Sequence, residues 1–504
     1  MTFRLPSPLV AICFTGAAAL HLAACSDSPT ASKEEPGLRL LSPQVVTDSA
    51  GAISPIEVEV RDAQGRVQSD VEVRFTGRAA SAAEASAAVS GAASFVSRTN
   101  SRGRATATVQ LGSRAGTTAV QVSVPAAGYQ DSVRYTVTPG AATRVHVEPV
   151  DSALFVGASY SLRGKSVDRH GNPRSDPLSY SVVGTHASLS QTALRGESIG
   201  RAFVLARHGS LVDTAWVSVV PRGVLAAYEF PFYYNGNGPD IRQPGRIVTL
   251  NTDGSDYRVL LEQRPAVIPF SYAEGMQPSW SPSGDEIAYI NASRLMRVDL
   301  AGVAREVYLG TDAVHAEFAP QYSPDGQWIY FTRGRDGHQR TFWRVRPDGT
   351  GAQQVSPAEN WGIEVMPSPD PTGQSVAFQT NRRTNSTVDF TIRTLNVQTR
   401  AVTSLDIPGA APRWSPTGEW IALINGGRLQ LVRPSGGQIH SMGSGVGAHP
   451  TYAWSPDGTW IIISGNQPNA QTPGKVGLQL VNVATGEVLP LGFDRTLVQP
   501  SWRR

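Results

Sequence analysis

Pro278-Ser279-Trp280-Ser281-Pro282-Ser283-Gly284 recurs through the second half of the chain. It returns as Pro320-Gln321-Tyr322-Ser323-Pro324-Asp325-Gly326 and as Pro412-Arg413-Trp414-Ser415-Pro416-Thr417-Gly418. Pro367-Ser368-Pro369-Asp370-Pro371-Thr372-Gly373 is a degenerate copy. Trp454-Ser455-Pro456-Asp457-Gly458 is a fifth, with two extra residues between Pro450 and its turn. The turn glycines 284, 326, 373, 418 and 458 stand 42, 47, 45 and 40 residues apart. In the Ser-Pro-Asp-Gly form of the turn Pro presets φ, Asp caps the turn and Gly takes the positive-φ position. An apolar run follows every turn: Ile287-Ala288-Tyr289-Ile290, Ile329-Tyr330-Phe331, Val376-Ala377-Phe378, Ile421-Ala422-Leu423-Ile424 and Ile461-Ile462-Ile463. A period of that length with about four strands in it is one propeller blade.

Five copies are visible, and the flanks supply a sixth blade. Val224–Phe230 and Arg246–Leu261, around Asn251-Thr252-Asp253-Gly254, read as later strands of a blade that lacks its Pro-Trp strand. Gln499-Pro500-Ser501-Trp502 is the missing piece. Pairing it with the first propeller strands closes the ring and removes sheet edges that would otherwise aggregate.

On these residues, 223–504 resembles the propeller of TolB and related WD-repeat-like periplasmic proteins. That family carries a small α/β domain before its propeller, whereas this chain has two stretches of alternating short strands there. Ile56-Glu57-Val58-Glu59-Val60 alternates, turns at Asp62-Ala63-Gln64-Gly65 and resumes at Val71-Glu72-Val73-Arg74-Phe75, a hairpin signal. Strands are expected at Arg104–Leu111, Thr118–Val124 and Ser132–Thr138, and a loop with a weak strand at Ala79–Ala93. Pro55–Asp62, Val71–Phe75, Gly103-Arg104-Ala105 and Leu111-Gly112 resemble bacterial Ig-like repeats of the invasin/intimin type. A second unit is similar to the same class, through Ala142-Thr143-Arg144-Val145, Val156-Gly157, Val167–Pro173, Gly200-Arg201-Ala202 and Val217–Pro221. The fold class expected is all-β: two Ig-like β-sandwiches, 38–139 and 140–222, followed by a six-bladed β-propeller, 223–504.

Composition agrees. The 504 residues include 49 Gly and 36 Pro, and only 17% are charged, which suits turn-rich β structure. A net charge of +3 gives no reason to expect nucleic acid. The two cysteines, Cys13 and Cys25, exclude a disulfide framework. Residues 1–24 read as an export signal: Arg4, then an apolar stretch from Leu9 to Leu22 that is too short to span a bilayer. It ends in Leu22-Ala23-Ala24-Cys25, which resembles the lipobox of bacterial lipoproteins. The resemblance implies cleavage before Cys25 and a lipid on its thiol. Residues 25–37 then form a polar lipidated tether. Ser26 after the cysteine resembles the outer-membrane-sorted pattern. The expected address is therefore the cell envelope, at the outer membrane, facing the periplasm or the surface.

Candidate ligand-binding residues stand just before the inner strands, where the family geometry places the channel mouth: Glu274, Glu317, Glu364 and His449. Glu317 and Glu364 share one offset, three residues before Pro320 and Pro367. Paired carboxylates there suit acid–base work or a cationic ligand, set against the plainer reading of solvated or turn-capping acids. A second candidate is the aromatic stretch Phe230–Gly238 with Phe232, Tyr233 and Tyr234, which suits a partner or packing within the protein. Gly196-Glu197-Ser198-Ile199-Gly200 satisfies G-x-S-x-G but lies between short strands with no helix to follow, and reads as a β-turn. No metal-ligand spacing and no phosphate loop stand out, so no metal or cofactor is expected. The function expected is a membrane-anchored envelope lipoprotein, not an enzyme. Its propeller is a binding platform for protein, peptide or glycan. The alternatives are a surface adhesin using the Ig-like modules and a propeller enzyme acting on glycans.

Overall fold

The computed structural model describes residues 35–78, 84–149, 151–229, 245–263, 277–291, 294–307, 316–334, 340–356, 363–383, 388–442, 451–466, 476–493 and 495–503. Among them every regular element is a β-strand. The chain forms two compact units, Met1–Ala141 with His170–Asn172, and Ala142–Arg169 with Pro173–Arg504.

In the first unit, one sheet orders its strands Gly37–Leu40, Ile53–Arg61, Arg104–Leu111 and Ala87–Val89. The other orders Val45–Ser49, Tyr129–Thr138, Gly116–Val124, Glu72–Thr76 and Ser94–Arg98. Both face one core that includes Ile56, Val58, Phe75, Val109, Val122 and Tyr135. Each strand gives that core alternate residues: along Arg104–Leu111 the buried positions are Ala105, Ala107, Val109 and Leu111. The expected weak strand within 79–93 is Ala87–Val89. Asn172 belongs to this unit and is buried, its amide donating to Ser113 O at 2.7 Å and its Oδ1 accepting from Ala115 N.

The second unit opens with three small sheets over a core of Val145, Val147, Leu154, Leu194, Val204 and Val217. These sheets are continuous in their packing with the strands beyond residue 222. Phe155 and Val220 pack in one cluster with Leu225, Leu250, Trp460 and Trp502. The Ser218 hydroxyl donates to Pro490 O at 2.7 Å, and Thr252 Oγ1 donates to Pro221 O.

The propeller comes next as six four-stranded antiparallel sheets. The first blade begins at Ser279–Trp280, the second at Ala316–Tyr322, the third at Ile363–Pro369, the fourth at Ala410–Trp414 and the fifth at Tyr452–Trp454. The closing blade takes its inner strand from Leu497–Trp502, which pairs with Val224–Glu229 in the register Leu225↔Trp502 and Glu229↔Leu497. Its outer strands are Gly245–Asn251 and Arg258–Gln263. Between every pair of neighbouring blades sits a separate apolar cluster. The second strand of each blade is therefore covered on both faces. That is why Ile287-Ala288-Tyr289-Ile290 is apolar without alternation and buried throughout.

The repeated turn is a small hydrogen-bonded device. Ser323 Oγ donates to Asp325 Oδ1 and accepts the Trp328 N–H at 2.9 Å. Ser455 makes the same pair of bonds with Asp457 and Trp460 N. Gly284, Gly326, Gly373, Gly418 and Gly458 all sit at φ between 69° and 75°. Only glycine adopts that conformation without a steric penalty.

Candidate functional site

The inner strands of all six blades enclose an axial cavity of about 570 Å³. Its shape depends on a repeated backbone irregularity. Gln277, Ala319, Met366, Ala411 and Gln499 each adopt positive φ, from 41° to 56°, and each immediately precedes a proline. The residue before proline is normally driven to extended conformations, and positive φ costs a non-glycine residue about 1–2 kcal/mol. Five such residues in register mark a built feature of the ring.

Neighbouring blades hold these residues in place. The Gln277 N–H donates to Gln499 Oε1 and the Gln499 N–H to Thr451 Oγ1, both at 2.9 Å. The Met366 N–H donates to Thr332 Oγ1 at 3.0 Å, and the Ala411 N–H to Gln379 Oε1 at 3.1 Å. The ladder slips at the same places, between Phe318 and Gln321, Val365 and Ser368, and Ala410 and Arg413. A bulge of this kind bends its strand and re-aims the side chains beyond it.

One residue on from each proline stand Ser279, Gln321, Ser368, Arg413 and Ser501, and all five line the cavity. The serines tie blades together. Ser501 Oγ accepts from Trp280 N at 3.1 Å, Ser279 Oγ from Tyr322 N at 3.3 Å, and Ser368 Oγ from Trp414 N at 2.9 Å. Trp280, Tyr322, Trp414, Tyr452, Trp454 and Trp502 add aromatic surface to the wall. Burial raises the pKa of the Tyr322 and Tyr452 phenols, so both are neutral donors, Tyr452 to Ala411 O and Tyr322 to Glu286 Oε1.

Of the residues singled out from sequence, Cys25, Phe232, Tyr233, Tyr234, Glu274 and His449 lie outside the described residues. Glu317 and Glu364 are described, and neither lines the axial cavity. They occupy equivalent ladder positions, Glu317 opposite Arg333 and Glu364 opposite Thr380, and are 4% and 2% exposed. Glu317 Oε2 accepts the Leu295 N–H from the first blade at 2.6 Å. Burial pushes its pKa up to about 7, against the opposing pull of that N–H and of Arg333. The G-x-S-x-G string is a turn between the strands Ala193–Gly196 and Gly200–His208, with His186 Nδ1 3.0 Å from Ser198 Oγ.

Two groups went unremarked in the sequence. Glu229, buried in the closing blade, accepts from Tyr257 at 2.7 Å and from Arg495 at 3.0 Å. It clasps the segment that leads into the closing strand. The other is Arg413, found by reading down the column after the repeat prolines: Ser279, Gln321, Ser368, Arg413, Ser501.

Residues 236–502, just over half of the chain, match the TolB β-propeller domain family. The chain belongs to that family. This TolB-family chain is similar to an uncharacterized protein of Agrobacterium fabrum, 29% identical over 196 residues, covering 35% of this chain and 61% of the relative. It is also similar to the uncharacterized peptidase YuxL of Bacillus subtilis, 23% identical over 192 residues, covering 29% of each. The chain thus spans less than two thirds of either curated relative. Among solved structures, TolB of Acinetobacter baumannii aligns at 16% identity and a TM-score of 0.44, covering 64% of this chain and 82% of TolB. The similarity to a protein named as a peptidase corrects one expectation. The statement that the chain is not an enzyme does not stand, since a TolB-family propeller of this sequence has a relative so named.

Proposed function

We propose that this chain is a lipid-anchored protein of the cell envelope whose TolB-family propeller takes a peptide or glycan ligand into its axial cavity. The cavity carries the reading. Its volume of about 570 Å³ is that of an ordinary ligand site. Its wall combines aromatic side chains with those of Gln277, Gln321, Gln379 and Gln499, a surface that suits main-chain amides or sugar hydroxyls. Cys25, through the lipobox that it closes, supplies the anchor, and the polar tether after it gives reach. The N-terminal β modules act as spacers of the Ig-like class, which sets the propeller away from the membrane.

Filling the cavity tests this. Ala453 lines it from the inner strand of the fifth blade with a single methyl group, beside the cluster shared with the closing blade, so Ala453→Trp places an indole at the cavity wall. A soluble form, residues 38–504, is screened against peptide and oligosaccharide arrays, and the bound material is analysed intact and for cleavage. Ligands held by the wild type and lost in the folded Ala453→Trp variant are the expected result. Ligands held equally by both would place binding elsewhere. In cells, Cys25→Ser releases the protein from membranes; retention there would remove the anchor from the proposal.

A further inference from the structure

Arg413 is the only charged side chain among the described residues that line the axial cavity. Its position is otherwise used for neutral groups. Where the column carries serine, the hydroxyl binds the next blade; where it carries Gln321 or Arg413, a longer donor stands instead. Local departures from a repeat that otherwise serves stability mark functional positions.

The guanidinium lacks what would satisfy it. No carboxylate among the described residues pairs with it, and its one hydrogen bond runs to the carbonyl of Pro412 at 3.4 Å, long for an N–H···O contact. Desolvation lowers its pKa against the opposing pull of the Tyr452 phenol and of no carboxylate, yet an arginine stays protonated in a protein. Arg413 is half-buried on the cavity wall, so its guanidinium faces the lumen with no counter-charge among the described residues beside it. The natural complement of the planar fork is a carboxylate, held by two parallel N–H···O bonds.

We propose that Arg413 binds the terminal carboxylate of a peptide whose free C-terminal end enters the axial cavity. The charge pattern selects this occupant. A single cation on a wall of amides and aromatic rings matches a ligand with one negative charge at its tip and neutral groups behind it. A polyuronate, charged at every unit, would leave all but one carboxylate facing that neutral wall. A phosphate group would bring about two charges to one guanidinium. This assignment rests on the axial cavity being the binding site.

The probes are N-acetylated tetrapeptides built from uncharged residues, made once as free acids and once as C-terminal amides. Equilibrium dialysis against residues 38–504, read by mass spectrometry, compares the two sets. In the wild type the acids bind roughly tenfold or more tighter than the amides, the usual size of a charge-assisted bond. Arg413→Gln, which installs the residue of the equivalent second-blade position, brings the acids down to the level of the amides. Arg413→Lys, a point charge without the fork, falls between. Equal binding of acids and amides by the wild type, or a preference for acids that survives Arg413→Gln, overturns the assignment to Arg413. If those peptides are still lost in Ala453→Trp, the cavity reading itself stands. A uronic-acid tetrasaccharide that binds through Arg413 while neither peptide set binds would overturn the peptide and leave the carboxylate. If no probe of either kind is lost on Ala453→Trp, the cavity reading fails and this assignment fails with it.

Discussion

A strand of the first unit and a strand of the propeller solve the same problem differently. Arg104–Leu111 buries every second residue against a single core, and its intervening side chains meet water. Ile461-Ile462-Ile463 buries every residue, because a neighbouring blade covers each face of its sheet. The first unit therefore has one core shared by two sheets, while the propeller has six smaller ones arranged in a ring. Stability in the first depends on one packed interior. In the second it depends on the ring being complete.

That difference can be broken most severely at the seam. Ending the chain at Thr496 removes the closing strand, exposes the edge of Val224–Glu229 and takes Trp502 out of its cluster. The expected result is loss of the cooperative thermal transition of the second unit, with aggregation, while a transition from the first unit survives. Calorimetry and size-exclusion chromatography read both. Next in size are point changes. Ile461→Ala, Ile462→Ala and Ile463→Ala each cost about 2–5 kcal/mol, since all three side chains are buried. In Arg104–Leu111, Val109→Ala is destabilising while Gln110→Ala stays within about 0.5 kcal/mol. Denaturant titration of the five variants would show the period: every residue in one strand, every other residue in the other.

A third test uses pH. The Glu317 carboxyl has a pKa of about 7 in the fold, against 4.5 in an unfolded chain, so the folded protein holds its proton more tightly. The stability this contributes is fully present below pH 4.5 and is lost as pH rises through 7. Glu317→Gln should match the wild type under acid conditions and exceed it on the alkaline side, by on the order of 2–3 kcal/mol. Wild-type and variant melting curves that run parallel across that window would refute the buried, raised carboxyl. The smallest effect belongs to the belt between blades. Ser368→Ala leaves the Trp414 N–H without its acceptor and should lower stability by about 1–3 kcal/mol, whereas Gln321→Ala, outside the belt, changes it little.

The propeller was readable from sequence because its signals are local and repeated. A turn that needs φ near 70° admits glycine almost alone, so five glycines at near-equal spacing expose five blades. The sixth emerged from a strand missing at one end and a spare one at the other. The bulges were hidden, because the rule for a residue before proline points to extended backbone, and hydrogen bonds from a neighbouring blade overrule it. Glu317 and Glu364 were placed at a channel mouth on the assumption that the strand begins at the proline. It begins upstream, at Ala316 and Ile363, so both carboxylates fall within the ladder and are buried. The joint at residue 222 was equally invisible, since Phe155 and Val220 look like ordinary interior residues until the distant Trp460 and Trp502 are seen against them. The lipobox reading falls on residues that the structure does not describe.

The clasp at Glu229 bears on how such a ring can be made. Arg495 reaches back 266 residues to that carboxylate, beside the strand pair that completes the circle. Bringing ends that far apart together carries a loop-closure penalty of about 5 kcal/mol before any contact forms. No five-blade fragment can recover it, because the compensating contacts exist only once the last strand has docked. Closure is then the slow, late step of folding. Until it occurs the chain carries an open β-edge, and partial assemblies are more vulnerable to edge pairing with other chains than the finished molecule.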